Sequence, residues 1–278
     1  MYMKSGKLNA SLIAGRTLVQ RLLRPLGLRP SRKVGGHRLV FDPATDIGLD
    51  LLLTGRFERE AIAQCAKFIR PDGVVIDVGA NIGVHAVHFA DLASSGQVVC
   101  FEPARATFSL LLRNVSGLAN VVPLNLALSD TSGLQTFFVA ADDAYSGLKD
   151  TKRKALLRHE QVACFTGDEI LPSLVGSARV DLIKIDVEGL ETNVLAGLRQ
   201  FLTAHRPVIF CEIFAGHDSN PDPQRTVQFC TALGYDAFVL NGSELAPAAA
   251  HDDSLYNYFF IPRAGAGLEN QRSWGHFP

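Results

Sequence analysis

Two clusters of side chains in this 278-residue chain have the types and spacing to do chemistry. The first is Asp77-x-Gly79-x-Asn81-x-Gly83. It follows the β-branched run Val74–Val78 and precedes an apolar, helix-compatible segment, Val84 to Leu92. Strand, glycine turn and helix together open the crevice in which α/β sheets bind nucleotide-like ligands, because a residue without a Cβ lets backbone approach the ligand. Dinucleotide folds put a second glycine in the middle of this turn to admit a pyrophosphate. Here that position is Asn81, and an acid stands two residues before Gly79. Such an acid repels phosphate and pairs with a cation.

S-adenosylmethionine (SAM) has an ammonium, a sulfonium and no phosphate, so it suits the turn Gly79-Ala80-Asn81 better than a dinucleotide does. A second acid, Glu102, ends the run Val98–Glu102, 23 residues after Gly79. Such folds place a carboxylate there to take ribose hydroxyls.

The second cluster lies in Asp181–Glu191, DLIKIDVEGLE. Asp186 ends a strand and so reaches the carboxyl edge of the sheet, where open α/β folds bind ligands. Glu188 precedes Gly189 in a tight turn, while Glu191 in the first helical turn complements the helix dipole. Glu212, near the end of the next apolar run, points toward the same edge. Acids converging at one rim are costly unless a proton, a cation or a substrate hydroxyl uses them. Asp186 and Glu188 are the candidates for general base and hydroxyl ligands, with Glu212 third. A divalent metal on these three acids is the less favoured alternative, since no D-x-D or added histidine accompanies them. By period-2 alternation Lys184 shares a strand face with Asp186 and is expected to pair with it. His85 is expected to face the crevice and His88 the helix packing.

The elements that hold these groups alternate, strand with helix, which predicts an α/β, mainly parallel sheet covered on both faces. Residues 35–278 read as one domain. Residues 1–34 read as an appended arm; the first 41 residues carry nine Lys/Arg and no acid, leaving 18 basic against 28 acidic residues beyond. Within the arm, Ser11 to Arg24 fits an amphipathic helix with Leu12, Leu18, Val19, Leu22, Leu23 and Leu26 on one side. It can lie on an anionic membrane, or pack on the domain. Arg16 and Arg21 interrupt its apolar stretches, unlike a secretion signal. Lys149–Arg158 is basic, a solvated helix or a lid over an anionic substrate. The five cysteines (65, 100, 164, 211 and 230), with no C-x-x-C spacing, read as reduced core thiols in a cytoplasmic protein.

Together VVIDVGANIG, VVCFEP, LALSD, DLIKIDVEGLETNVLAGL and PVIFCEI resemble the FkbM-type family of SAM-dependent methyltransferases. The likeness runs from Thr54-Gly55-Arg56-Phe57-Glu58 to Asn257–Pro262. It implies a class I methyltransferase, Rossmann-like seven-stranded sheet whose last strand is antiparallel. It also implies O-methylation of a hydroxyl on a sugar, glycolipid or secondary metabolite. Carried over by position, Asp77, Gly79, Ala80, Asn81 and Gly83 line the methionine part of SAM and Glu102 takes the ribose. Asn125 to Ala127 border the adenine, and Asp186 faces methyl and acceptor with Glu188. Where the family often shows T-L-D, this chain has Thr166-Gly167-Asp168, a departure expected to soften packing there. The competing reading is a SAM- or nucleotide-binding module without turnover that docks a membrane or nucleic acid through its arm. A dinucleotide oxidoreductase is disfavoured by Asn81. No Pro-Pro-aromatic or Pro-Cys signature of base methylation is present, and no nucleic-acid partner is expected.

Overall fold

The computed structural model describes residues 10–214 and 220–263, with side chains from residue 15 onward. Residues 1–9 of the arm therefore lie outside the described residues. The strands are β1 (Ser31–Val34), β2 (His37–Val40), β3 (Val74–Val78), β4 (Gln97–Phe101), β5 (Val121–Leu124), β6 (Ala127–Leu128), β7 (Gly133–Ala140), β8 (Leu156–Phe165), β9 (Val180–Ile185), β10 (Val208–Glu212), β11 (Tyr235–Asn241), β12 (Glu244–Pro247) and β13 (Asn257–Pro262). The helices are α1 (Ala10–Leu23), α2 (Asp46–Thr54), α3 (Arg59–Cys65), α4 (Val84–Leu92), α5 (Arg105–Val115), α6 (Gly167–Val175), α7 (Glu191–Gly197), α8 (Arg199–His205) and α9 (Gln224–Ala232).

The main sheet runs β12-β11-β13-β10-β9-β3-β4-β5. Strands β5, β4, β3, β9 and β10 are parallel, and β13 inserts antiparallel between β10 and β11. These make the seven-stranded sheet with an antiparallel last strand. An eighth strand, β12, folds back on β11 across a two-residue loop whose Gly242 sits at φ +63°, the left-handed geometry that such hairpins need. Strands β3, β9 and β10 are buried on both faces, as their near-continuous apolar runs require. On one face Val75, Leu182 and Phe210 pack among Ala61, Phe89 and Leu111 of α3, α4 and α5. On the other, Ile76, Ile183 and Ile209 meet Leu171, Leu195, Leu202 and Val227 of α6, α7, α8 and α9.

A small second sheet, β6-β8-β7, stands beside the main one. It corrects the reading of Lys149–Arg158: no helix forms there, and β8 already begins at Leu156. Gly167 shows why this chain departs from T-L-D. A Cβ on it would lie 2.1 Å from Leu198 Cδ2, so the glycine tightens the approach of α6 to α8 instead of softening it. Thr166 caps α6 through its hydroxyl, and Asp168 accepts the N–H groups of Gln200 and Phe201 at the start of α8.

Helix α1 docks on α2 through polar groups. Arg16 Nη1 lies 2.6 Å from Asp50 Oδ1, and Gln20 Nε2 donates to Asp46 Oδ1 at 2.8 Å. Leu18 and Leu22 point elsewhere, 59% and 65% exposed, as does Leu26 just beyond the helix, 61% exposed. The β1–β2 hairpin straddles residue 35, where the sequence suggests the domain begins. Among the described residues no helix is long and apolar enough to cross a membrane. All five cysteines are buried and unbridged.

Candidate active site

The register of the three central strands builds the site. Asp77 of β3 pairs with Lys184 of β9, and Phe210 of β10 pairs with the same Lys184. Alternation then puts Asp77, Lys184, Asp186 and Glu212 on one face at the carboxyl edge. A cleft of about 850 Å³, its open mouth included, lies there. Among the described residues its wall holds five carboxylates, Glu102, Asp143, Asp186, Glu188 and Glu212, and no lysine, arginine or histidine.

Gly79 sits at φ +78°, and a Cβ on it would fall 1.9 Å from the Asp186 carbonyl oxygen. The turn after β3 and the end of β9 therefore touch, which only glycine allows. Asn81 is also left-handed, at φ +49°; its side chain accepts the Ile82 N–H and its own N–H donates to Glu102 Oε2 at 3.0 Å. The second Glu102 oxygen accepts the Ala104 N–H at 2.9 Å. Burial pushes the Glu102 carboxyl up to about 7 against the pull of these two hydrogen bonds.

Gly79, Asn81, Glu102, Ala127, Asp186, Glu188 and Glu212 line the cleft, while Asp77, Ala80, Gly83 and Asn125 stand behind its wall. Asp77 is wholly buried, 3.1 Å from Lys184 Nζ. Lys184 also donates to the Gly79 carbonyl at 2.8 Å and lies 3.8 Å from Asp186 Oδ2. Its closer carboxylate is thus Asp77, not Asp186. Burial alone would lower the Lys184 pKa, but the two carboxylates raise it. Asn125 donates from Nδ2 to the carbonyls of Glu102 and Pro103, holding the exit of β4. Gly83 caps α4 at φ +89°, and a Cβ there would meet Leu111 Cδ1 at 2.8 Å.

Glu188, at φ +53°, is held by Arg153, whose Nη1 lies 2.6 Å from Glu188 Oε2. The Arg153 guanidinium is stacked over the rings of Tyr145 and Phe214, 4.2 and 4.1 Å from their centroids. One arginine of the basic segment thus turns inward over the acidic rim. His85 departs from expectation. It is buried among Phe57, Phe89 and Phe210, 3.3 Å from Glu58 Oε2, and does not line the cleft. Burial lowers its pKa to about 4, so it is neutral. Among the described residues no group of three or more His, Cys, Asp or Glu side chains is placed to hold a metal ion.

Sequence reasoning missed Asp143 and Arg153. Both come from the polar stretch between β7 and β8, where no periodicity announces which side chains turn inward. No local pattern signalled the pairing of Glu58 with His85.

A seven-stranded sheet with an inserted antiparallel strand, carrying a glycine turn after β3 and an acid after β4, defines a class I methyltransferase fold. Within that class the chain belongs to the family described as the methyltransferase FkbM domain, matched over residues 77–237. It is similar to the hexuronic acid methyltransferase AglP of Haloferax volcanii, 32% identical over 59% of this chain and 65% of that protein. It is also similar to the 2-O-methyltransferase NoeI of Sinorhizobium fredii, 29% identical over 49% of this chain and 62% of that protein. The 31-O-demethyl-FK506 methyltransferase FkbM of Streptomyces tacrolimicus is 37% identical over 47% of this chain and 61% of that protein. The chain spans less than two thirds of the length of these relatives.

Proposed function

We propose that this chain is a SAM-dependent methyltransferase that methylates a hydroxyl on a sugar, glycolipid or secondary-metabolite acceptor. The observation that carries the reading is the cleft wall: among the described residues, five carboxylates and no basic side chain, a lining that favours a cation and opposes phosphate. The close contact of Gly79 with Asp186 and the two-point hold on Glu102 suit the adenosyl and methionine parts of that donor. When bound, SAM supplies an electrophilic methyl on a positively charged sulfur.

The chain's own groups do the rest. Glu102 accepts ribose hydroxyls, and the turn Gly79-Ala80-Asn81 presents backbone to the methionine end. Asp77 acts from behind the wall, fixing Lys184 and through it the Gly79 carbonyl. Asp186 is the carboxylate best placed as general base, since its side chain is 32% exposed at the cleft. Glu188, clasped by Arg153, and Glu212 orient the acceptor hydroxyl. Holding nucleophile and methyl in line can supply on the order of 7–11 kcal/mol, and a positioned base a further ~10²–10⁴-fold. The relatives named for hexuronic acid, 2-O and 31-O positions support a hydroxyl acceptor over a nitrogen one.

A labelled-methyl transfer screen against fractionated cell extract tests this. Transfer by the wild type, lost in Asp186→Asn while S-adenosylhomocysteine (SAH) still binds, supports it. SAH binding without transfer to any fraction would favour a binding module without turnover.

The arm supports a peripheral membrane contact. The exposed Leu18, Leu22 and Leu26 neighbour exposed Arg21 and Arg24, the pattern of an interfacial helix on anionic lipid. Flotation with phosphatidylglycerol vesicles, lost in Leu18→Glu/Leu22→Glu and absent with phosphatidylcholine, is the expected result.

A further inference from the structure

One group in the cleft has no place in the roles above. Asp143 opens the short 3-10 turn Asp143–Tyr145, between β7 and β8, and it lines the same cleft as Glu102. Its Oδ1 is buried and has no hydrogen-bond partner among the described residues. A buried, unpartnered carboxylate oxygen costs about 1–3 kcal/mol or more, and native structures rarely leave one without a reason.

The backbone of this turn is pinned on both sides of Asp143. Asp142, the residue before it, does not line the cleft and accepts the Asp46 N–H at 2.9 Å. Tyr145, two residues on, donates its hydroxyl to Asp46 Oδ2 at 2.7 Å, and its carbonyl accepts the Thr151 hydroxyl at 3.2 Å. The Tyr145 and Ser146 N–H groups close the turn onto Asp142 and Asp143 carbonyls. With its neighbours anchored on α2, Asp143 is presented to the cleft.

Two further facts say what it meets there. Burial raises the Asp143 pKa, and the next cause is the charge of Glu102, followed by Asp42. Glu102 and Asp143 both line the cleft, so the two carboxylates border one volume. Among the described residues no basic side chain lines that volume, which leaves the place of the partner to a ligand's hydrogen-bond donor. A vicinal diol offers two donors side by side, one for each of two facing carboxylates.

Resting on the SAM reading, we infer that Asp143 is a second ribose-recognising carboxylate, taking one hydroxyl of the adenosyl diol while Glu102 takes the other. Cofactor discrimination in this chain is then shared between the strand-end acid and a loop outside the main sheet. A ligand lacking either hydroxyl leaves one buried carboxylate oxygen without a partner.

Isothermal titration of SAH and of its 2′-deoxy and 3′-deoxy analogues tests this, on wild type, Asp143→Ala and Asp143→Asn. Asp143→Ala should weaken SAH by about 10-fold or more, the worth of a hydrogen bond to a charged group. Asp143→Asn, of the same shape and able to accept but uncharged, should weaken it less. With one of the two deoxy analogues the Asp143→Ala penalty should vanish. Melting curves matching the wild type for Asp143→Asn show that the fold is intact. Unchanged SAH affinity in both variants, or an equal penalty with all three ligands, overturns the assignment; the oxygen then faces only water or another part of the ligand. A wild type that binds no SAH overturns the cofactor reading itself, which separates that failure from this one.

Discussion

Lys184 Nζ stands 3.1 Å from Asp77 Oδ1 and donates to the Gly79 carbonyl at 2.8 Å, so one buried cation ties β9 to the turn that follows β3. Neither side chain reaches water. Removing one member of such a pair leaves an uncompensated buried charge, at about 3–5 kcal/mol. Lys184→Met should lower unfolding stability by that much in urea titrations. The double variant Asp77→Asn/Lys184→Met should lose clearly less than the two single losses added. Additive losses would mean that the two side chains do not depend on each other.

Gly79→Ala puts a Cβ 1.9 Å from the Asp186 carbonyl at φ +78°. No side-chain motion relieves a clash with backbone, so the turn itself must shift. The expected outcome is a loss of at least about 1–2 kcal/mol of stability, from left-handed strain alone, with SAH affinity falling more than stability does. Thermal melts with and without SAH read both.

The pH dependence follows from Glu102, whose carboxyl is pushed by burial from 4.5 to about 7. A raised folded pKa means that the folded chain binds the proton more tightly. The stabilising contribution is therefore full below about 4.5 and is lost as pH rises through about 7, at most about 3 kcal/mol. Wild type without ligand should lose stability, relative to Glu102→Ala, between pH 5 and 8. Ribose hydroxyls favour the ionised form, so SAH affinity should rise with pH up to about 7 and binding below it should release protons. Titration in buffers of different ionisation heats measures that release.

Arg153 is held by Glu188 at 2.6 Å and by two aromatic faces. Each cation–π contact is worth about 0.5–1 kcal/mol or more. Arg153→Ala should loosen the segment between β7 and β8, seen as faster limited proteolysis within residues 149–155. SAH affinity should change by less than about threefold, because Arg153 does not line the cleft. Unchanged proteolysis would remove the arginine as the clasp of this segment.

The main sheet was legible because its strands are apolar runs with an acid at or near their ends. Val74–Val78, Val98–Glu102, Val180–Asp186 and Pro207–Phe214 announce both burial and the edge at which ligands bind. The partner of Lys184 was not legible. Alternation puts Asp186 on the same strand face, but two residues along a strand span roughly 6.5 Å, whereas a neighbouring strand lies about 4.8 Å away. Knowing that Asp77 is nearer requires the strand order and register, which no local pattern contains. Asp143 and Arg153 were hidden for a different reason. They belong to a loop whose inward side chains are chosen by anchors on α2, namely Asp46 and the groups that bind it. Only the folded chain brings those anchors together. His85 was misplaced because helix α4 turns its first-turn imidazole toward Phe210 and the core.

The central claim is that an acid-walled cleft holds an adenosyl ligand through Glu102. Its most direct test is calorimetric titration of SAH into wild type and Glu102→Ala, with NAD as the control ligand. The expected result is SAH binding by the wild type, about 10- to 100-fold weaker in the variant, and no heat from NAD. Equal SAH affinity in both proteins, or NAD binding where SAH does not bind, would contradict the account.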